Sequence, residues 1–190
     1  MTAAPINDSR LGTLVQEIGA LVDEYQDERT LTAAVAERLA QALADGIALG
    51  PEVTRPDTER YVMYPLHVDP EGRFSIASAV WNVGQGTPVH GHETWGVVGI
   101  YSGVEHEISF EKPAESDRPL STNGEERWGP GQVTVCCTTD DDVHQVFCGS
   151  DVPCVGIHVY GADIGTLPRR SYAPETGAVS WFTSSWTQPA

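Results

Sequence analysis

Positive charge is scarce in this sequence of 190 residues. It contains a single lysine, Lys112, beside ten arginines, against 27 acidic residues, and its formal net charge is −16. An acidic surface repels the phosphate backbone of nucleic acids and anionic lipid headgroups. The composition therefore argues against nucleic acid and membrane partners, and an anionic substrate would need a local positive site within the protein.

A hydrophobic run long enough to cross a bilayer is also absent, although 40% of the residues are hydrophobic and can bury a core. The N-terminus lacks the basic segment followed by an apolar segment that marks a secretory signal. We therefore expect a cytoplasmic, soluble protein that is monomeric or a weak homo-oligomer.

The four cysteines lack Cys-x-x-Cys spacing; they are Cys136, Cys137, Cys148 and Cys154. Two adjacent cysteines do not easily form a metal-binding knuckle. In a cytosolic chain these residues are expected to be reduced, and most behave as small buried hydrophobic residues.

The first quarter of the chain predicts two helices within 10–45. Hydrophobic residues recur at three- and four-residue spacing over 11–22, after Asp8 or Ser9 as a candidate N-cap. A polar break over 25–30 precedes a second apolar series over 31–43, which Asp45-Gly46 closes. We expect these helices to pack against a sheet.

From about residue 60 the pattern changes to short β-rich runs separated by glycine and proline. We predict strands over 60–67, 74–83, 96–101, 105–110, 132–137, 143–147 and 155–160. Many short strands without intervening helices favour a sandwich or a small barrel. We predict one structural domain with a helical segment over 1–50, a barrel over 51–183 and an irregular tail over 184–190.

A pair of histidines, His90 and His92, predicts a metal site. Residues two apart in a strand point to the same face, and His144 follows about fifty residues later in a second strand-like segment. Three imidazoles leave coordination positions open for substrate, as catalytic metal sites do. A His-x-His pair by itself is also consistent with two surface histidines.

Another polar pair, His158 and Tyr160, stands at the same two-residue spacing on an otherwise apolar strand. It predicts either a functional pair or two core side chains that satisfy each other's hydrogen bonds. His67 and His106 are given no ligand role.

The arrangement of a glycine, the His-x-His pair, a later glycine, a Pro-x-Gly block and a distant histidine resembles the cupin superfamily. Residues 67–75, 87–96 and 156–165 resemble more specifically the bacterial cysteine dioxygenase type I family, and within it the branch that includes 3-mercaptopropionate dioxygenases. The resemblance extends over roughly 60–175. It implies a mainly β fold, the cupin double-stranded β-helix or jelly-roll barrel, with the two N-terminal helices packed outside.

The resemblance also implies an activity. Members of the family are non-haem Fe(II) enzymes that add both atoms of O2 to the sulfur of a small thiol, here a thiol carboxylate such as 3-mercaptopropionate or cysteine, to give a sulfinate. By position, His90, His92 and His144 match the iron ligands. His158 and Tyr160 match the last two members of the family's Ser-x-His-x-Tyr triad, so the expected partners are the thiol and O2.

The sequence departs from the related families at three positions. Most cupins carry a glutamate ligand three or four residues after the histidine pair, where this chain has Gly96 and its neighbours, and Glu93 should face away. We therefore expect three histidine ligands without a carboxylate. The triad serine is Gly156, so water or another group must replace its hydroxyl. Residues 95–98 lack the cysteine of animal-type enzymes, which predicts no Cys–Tyr cross-link.

A thiol carboxylate needs a cation, and Arg60 and Arg169 are the candidates. A guanidinium binds a carboxylate through two parallel hydrogen bonds, and the resemblance favours Arg169. Both could instead be solvated surface arginines. Three other functions stay open: a three-histidine oxygenase acting on a carbon substrate such as a diketone, a non-catalytic cupin that binds a metal or ligand, and an isomerase-type cupin.

Overall fold

The structure is a computed structural model that describes residues 8–112, 118–136, 138 and 142–189. It begins with two helices. Helix α1 spans Ser9–Glu24 and α2 spans Glu28–Ala44. The side chain of Asp8 caps α1, as predicted, and Asp27 caps α2. This second cap starts α2 at Glu28, so the break between the helices is shorter than predicted.

Eleven strands follow within the described residues. They are β1 (Val62–Val68), β2 (Ser75–Trp81), β3 (Val89–His90), β4 (Gly96–Ser102), β5 (Glu105–Phe110), β6 (Thr122–Trp128), β7 (Val133–Cys136), β8 (Val143–Cys148), β9 (Cys154–Tyr160), β10 (Arg169–Tyr172) and β11 (Val179–Phe182). All seven predicted strands are present; Cys137, which ended one of them, lies outside the described residues. Strands β3, β6, β10 and β11 were missed.

The strands form two antiparallel sheets whose order interleaves early and late parts of the chain. The first sheet has the order β1-β2-β9-β4-β7, and the second has the order β11-β10-β3-β8-β5-β6. Residues from the inner faces of both sheets line one cavity between them. This is the jelly-roll arrangement, so the predicted fold class is confirmed.

The helices cover the outer face of the first sheet, as expected. Ile18 and Leu39 of the helices belong to the same buried cluster as Ile157 and Val159 of β9. The residue between these last two, His158, points to the opposite face because side chains alternate along a strand. The alternation in β9 thus separates a helix-covered core from the barrel interior.

The tail has no regular secondary structure over 183–189, and part of it is held against the barrel. Ser184 and Trp186 are buried, and the indole of Trp186 donates a hydrogen bond of 2.8 Å to Asp163. The predicted domain bounds stay a prediction. Among the described residues, neither helix has the length and apolar character needed to span a membrane.

Candidate metal centre

The short strand β3 brings two of the predicted histidines together. His90 lies directly opposite His144 of β8, in an antiparallel pair. The expectation that His92 shares this strand is wrong, because β3 ends at His90 and the backbone turns at Glu93, which has a φ of 58°. Glu93 itself faces away, as expected, and pairs with Arg170 at 2.6 and 3.0 Å.

The three histidines nevertheless form one compact cluster. The ring centroids of His90 and His92 are 5.0 Å apart, and each lies 4.8 Å from the ring of His144. Each residue offers one nitrogen, and these nitrogens lie within 4.8 Å of one another. All three side chains are buried. The cluster could hold a metal ion.

The protonation of two of the histidines suits a metal site. Burial, together with the neighbouring histidines and Arg169, holds the pKa of His90 and of His92 well below the ordinary value, so both rings are neutral and able to ligate. The Nδ1 of His90 donates to the carbonyl of Pro88 at 3.0 Å, which leaves Nε2 as the ligand atom.

His144 is oriented by a carboxylate that the sequence analysis did not single out. Its Nδ1 lies 2.5 Å from Glu107 Oε1, and Trp128 donates to the other Glu107 oxygen at 2.8 Å. Burial opposes charge on His144, but the hydrogen bond to Glu107 and the nearby carboxylates of Asp142, Glu107 and Glu105 together outweigh it and raise the pKa of His144. Its Nε2 is buried without a hydrogen-bond partner among the described residues. A carboxylate behind a histidine is the usual support of a metal ligand.

Asp142 stands in a similar relation to His92, at a longer distance. Its Oδ2 lies 3.6 Å from His92 Nδ1, which is too long for a hydrogen bond, and both atoms lack a partner among the described residues. A small shift of either side chain would bring these two atoms within hydrogen-bond distance. The donor set of three histidines and the unsatisfied Nε2 of His144 therefore fit a bound metal ion.

One cavity between the two sheets contains the predicted site residues. It is lined by Tyr61, Met63, Ala79, Trp81, Thr87, His90, His92, Val98, Glu105, His144, Val146, His158, Tyr160 and Arg169. All six predicted site residues are in this set. Arg60, the other candidate cation, is exposed on the surface.

His158 and Tyr160 point into the cavity from β9 and contact each other. Nδ1 of His158 lies 2.9 Å from the Tyr160 hydroxyl, and the rings of Tyr160 and His92 are 5.6 Å apart. Burial lowers the pKa of His158 to about 3 and raises that of Tyr160, so both are neutral near pH 7. The pair does not satisfy all of its own polar atoms, because Nε2 of His158 has no partner among the described residues.

The cation of the cavity is Arg169, which is 3% exposed. Its Nη2 donates to Ser184 at 2.5 Å, Ser184 in turn lies 2.7 Å from the Tyr61 hydroxyl, and the guanidinium stands 4.7 Å from the ring centroid of Phe182. Within the part of the chain that the structure describes, its Nε is buried without an acceptor, and Arg169 forms no ion pair with a carboxylate.

The space beside Tyr160 that a cysteine in β4 would use is already filled. A Cβ placed on Gly96 would lie 2.6 Å from Cys136 Sγ and 3.1 Å from the Tyr160 ring. The absence of a Cys–Tyr cross-link stays a prediction. An intact mass lower by two hydrogen atoms than the sequence requires would contradict it and would implicate Cys136, which pairs with Gly96 across the sheet.

Comparison with known proteins gives similarity at the level of the fold only. No family model matches the chain. Among solved structures, an uncharacterised protein with a double-stranded β-helix domain from Klebsiella pneumoniae is 13% identical, with 74% of this chain and 98% of that chain covered and a TM-score of 0.45. A Cupin 2 conserved barrel domain protein from Salinispora arenicola is 17% identical, with 61% and 87% covered and a TM-score of 0.44. Similarity this low carries no functional argument.

Proposed function

We propose that this protein is a non-haem Fe(II) thiol dioxygenase that converts the sulfur of a small thiol carboxylate, 3-mercaptopropionate or cysteine, to a sulfinate. The observation that carries the proposal is the buried, unpaired guanidinium of Arg169 in the same cavity as the three-histidine cluster. A metal and a fixed cation in one narrow cavity suit a ligand with a thiolate at one end and a carboxylate at the other.

His90, His92 and His144 would hold the ion. Bound Fe(II) would supply a Lewis acid that keeps the thiol deprotonated and an electron source for reaction with O2. Imidazole ligands also suit zinc, copper and nickel, so the choice of iron rests on the resemblance of the sequence to the cysteine dioxygenase family.

Arg169 would bind the carboxylate of the substrate. Its contact with Ser184 and with the ring of Phe182 fixes the plane of the guanidinium, and its Nε–H has no acceptor among the described residues. The Nε1 of Trp81, which lines the same cavity, is likewise buried without an acceptor among the described residues. Two unused donors in one cavity favour a ligand that brings its own acceptor oxygens.

Other residues of the cavity lining would hydrogen-bond the reactants and exclude water. Tyr160 keeps its proton because burial raises the pKa of its hydroxyl, so it can hydrogen-bond the substrate or oxygen near the histidines. Met63, Val98 and Val146 add apolar surface to the cavity lining. Such a lining strengthens the electrostatic interactions at the site and limits side reactions with water.

Oxygen consumption tests the proposal directly. Fe(II)-loaded protein is incubated with 3-mercaptopropionate, cysteine and cysteamine in parallel, and products are identified by mass. We expect O2 uptake with a carboxylated thiol and a product equal to that thiol plus two oxygen atoms, with none from metal-free protein or His144→Ala. Protein that binds iron but consumes O2 with none of the three thiols would refute the proposal.

A three-histidine oxygenase acting on a carbon substrate is the second candidate, because Gly156 replaces the serine of the thiol dioxygenase triad. The same assay with a diketone discriminates the two, since the product would then be cleaved at a carbon–carbon bond. The cytoplasmic location and the weakly associating or monomeric state stay predictions.

A further inference from the structure

Two unsatisfied polar atoms face each other at the edge of the cavity. Glu105 of β5 is 2% exposed, and its Oε2 has no hydrogen-bond partner among the described residues. Nε2 of His158 is equally unpartnered and lies 3.8 Å from that oxygen. Buried polar atoms are rarely left unpaired, and an approach of about half an ångström would join these two in a hydrogen bond.

Gly156 is what allows this approach. A Cβ placed on Gly156 would lie 2.5 Å from His158 Nε2 and 3.6 Å from Glu105 Oε2. A serine at this position would therefore collide with the imidazole as it now stands. The carboxyl group of Glu105 stands 3.8 Å from the same ring nitrogen, on a strand of the opposite sheet, and so occupies the position from which it could take the place of a serine hydroxyl.

We propose that Glu105 is a positioning residue, which hydrogen-bonds His158 Nε2 and thereby decides which ring nitrogen of His158 carries the proton and which way the Tyr160 hydroxyl points. Its catalytic consequence rests on the proposed thiol dioxygenase function. The hydrogen-bond chain itself, from Glu105 through His158 to Tyr160, does not depend on that function.

The direction of the hydrogen bonds from Glu105 through His158 to Tyr160 follows from which atoms donate and which accept. If the Glu105 carboxyl donates to Nε2, the ring proton of His158 resides on Nδ1 and is donated to the Tyr160 oxygen, so the Tyr160 proton is free to point into the cavity. If Glu105 accepted from Nε2, Nδ1 would take the Tyr160 proton instead. Burial raises the pKa of Glu105 to about 8, with Glu107 adding to the rise and His144 opposing it, which supports the first arrangement.

The tautomer of His158 is measurable without metal or activity. Long-range proton–nitrogen NMR spectra of the metal-free protein, assigned with His158→Asn, should show the proton on Nδ1. Glu105→Gln, whose amide can donate to Nε2, should keep this tautomer. Glu105→Met, which has similar length but no hydrogen-bonding group, should lose it. An unchanged tautomer in Glu105→Met, with thermal unfolding showing a folded protein, would overturn the proposal.

A double-mutant cycle tests whether Glu105 acts through the pair. We expect Glu105→Met to lower kcat by about tenfold with little change in KM, as for the loss of one hydrogen bond in the relay. The effect should vanish in a Tyr160→Phe background, and Glu105→Gln should retain most of the activity. The matched control is His106→Ala, since His106 is the next residue of β5 and bonds Glu125 at 2.7 Å outside the cavity.

The two experiments separate the two proposals. A Glu105→Met effect that persists in the Tyr160→Phe background would show a merely structural role and overturn the inference. Absence of thiol oxidation in every variant would refute the proposed function, while the NMR result would still decide the hydrogen-bond chain.

Discussion

A buried arginine without a carboxylate partner is the most telling single residue of this molecule. Removing a charge from water is costly unless the charge is paired, and proteins therefore rarely keep such residues for stability alone. Among the described residues, Arg169 has only the neutral Ser184 as a hydrogen-bond acceptor and the face of Phe182 as a cation–π partner. The cavity thus holds a positive site within a chain whose net charge is −16.

Substitution of Arg169 should separate carboxylated from uncarboxylated substrates. We expect Arg169→Ala to raise KM for 3-mercaptopropionate or cysteine by about 10- to 100-fold, the worth of a charged hydrogen bond, and to change KM for cysteamine far less. Initial rates of O2 uptake give the KM for each of the two kinds of thiol. Arg60→Ala is the matched control and should leave both values unchanged, because Arg60 is exposed. Equal changes for the two kinds of thiol would contradict the assignment.

Glu107 should control metal affinity through His144. Glu107→Gln replaces the charged acceptor that orients the ring, and loss of such a supporting group typically weakens binding by about 10- to 100-fold. The affinity of each variant for a divalent metal is measured by competition with a chelator of known affinity. His106→Ala, one residue away in β5, should bind as the unaltered protein does. An unaltered affinity in Glu107→Gln would mean that Glu107 does not support the ligand.

Sequence reasoning located the ligand candidates but missed the carboxylates behind them. A His-x-His pair is conspicuous in any sequence, whereas Glu105 and Glu107 stand in a strand with polar residues on both faces, so alternation alone does not say which face is buried. Which face of β5 is buried depends on the strands that lie beside it in the sheet. One of them, β6, was itself missed, and it supplies Trp128 to Glu107.

At the scale of elements, the strands that escaped the sequence are those without a hydrophobic signal. Strand β6 reads Thr-Asn-Gly-Glu-Glu-Arg-Trp and lies at the sheet edge with almost all of its residues exposed, so its strand character comes from pairing with β5. Strand β3 has only two residues. Its place in the sheet is set by long-range pairing with β8 and β10, which no local pattern contains.

The turn between β1 and β2 offers a prediction about stability. The carboxylate of Asp69 is buried, accepts two hydrogen bonds from the Arg73 side chain at 2.7 and 3.0 Å, and accepts the backbone N–H groups of Glu71 and Arg73 at 3.1 Å. We expect Asp69→Asn to lower the free energy of unfolding by about 1–3 kcal/mol at pH 7, measured by urea unfolding. Glu71→Gln, an exposed neighbour, should change it little.

The same turn should make stability depend on pH in a defined direction. Arg73 lowers the pKa of Asp69 from 3.8 to about 2, so ionisation of this carboxyl group is more favourable in the folded state than in the unfolded state. This contribution is fully present above pH 4 and is lost as the pH falls through about 2. The stability difference between the unaltered protein and Asp69→Asn should therefore shrink over that range. A constant difference would contradict the assignment.

At the scale of the whole molecule, the two sheets contribute different parts of the site. The second sheet and its loops carry His90, His92, His144 and Arg169, whereas the first sheet carries His158 and Tyr160. The relative position of the metal and the Tyr160 hydroxyl is therefore set by how the sheets pack. The helices stabilise this packing from outside, since they pack on the outer face of the first sheet, away from the second sheet that carries the metal-candidate histidines.

Because the helix-covered core is formed mainly by the helices and the first sheet, whereas the candidate ligands belong to the second sheet and its loops, metal should stabilise a protein that already folds without it. At a free metal concentration 100 times Kd the gain is about 2.7 kcal/mol, which for a chain of this size raises Tm by about 5–10 °C. Differential scanning calorimetry with and without Fe(II) under argon measures the shift. His144→Ala should abolish it and His106→Ala should keep it. Unfolding on chelation alone would show instead that the metal is part of the fold, and a full shift in His144→Ala would place the metal elsewhere.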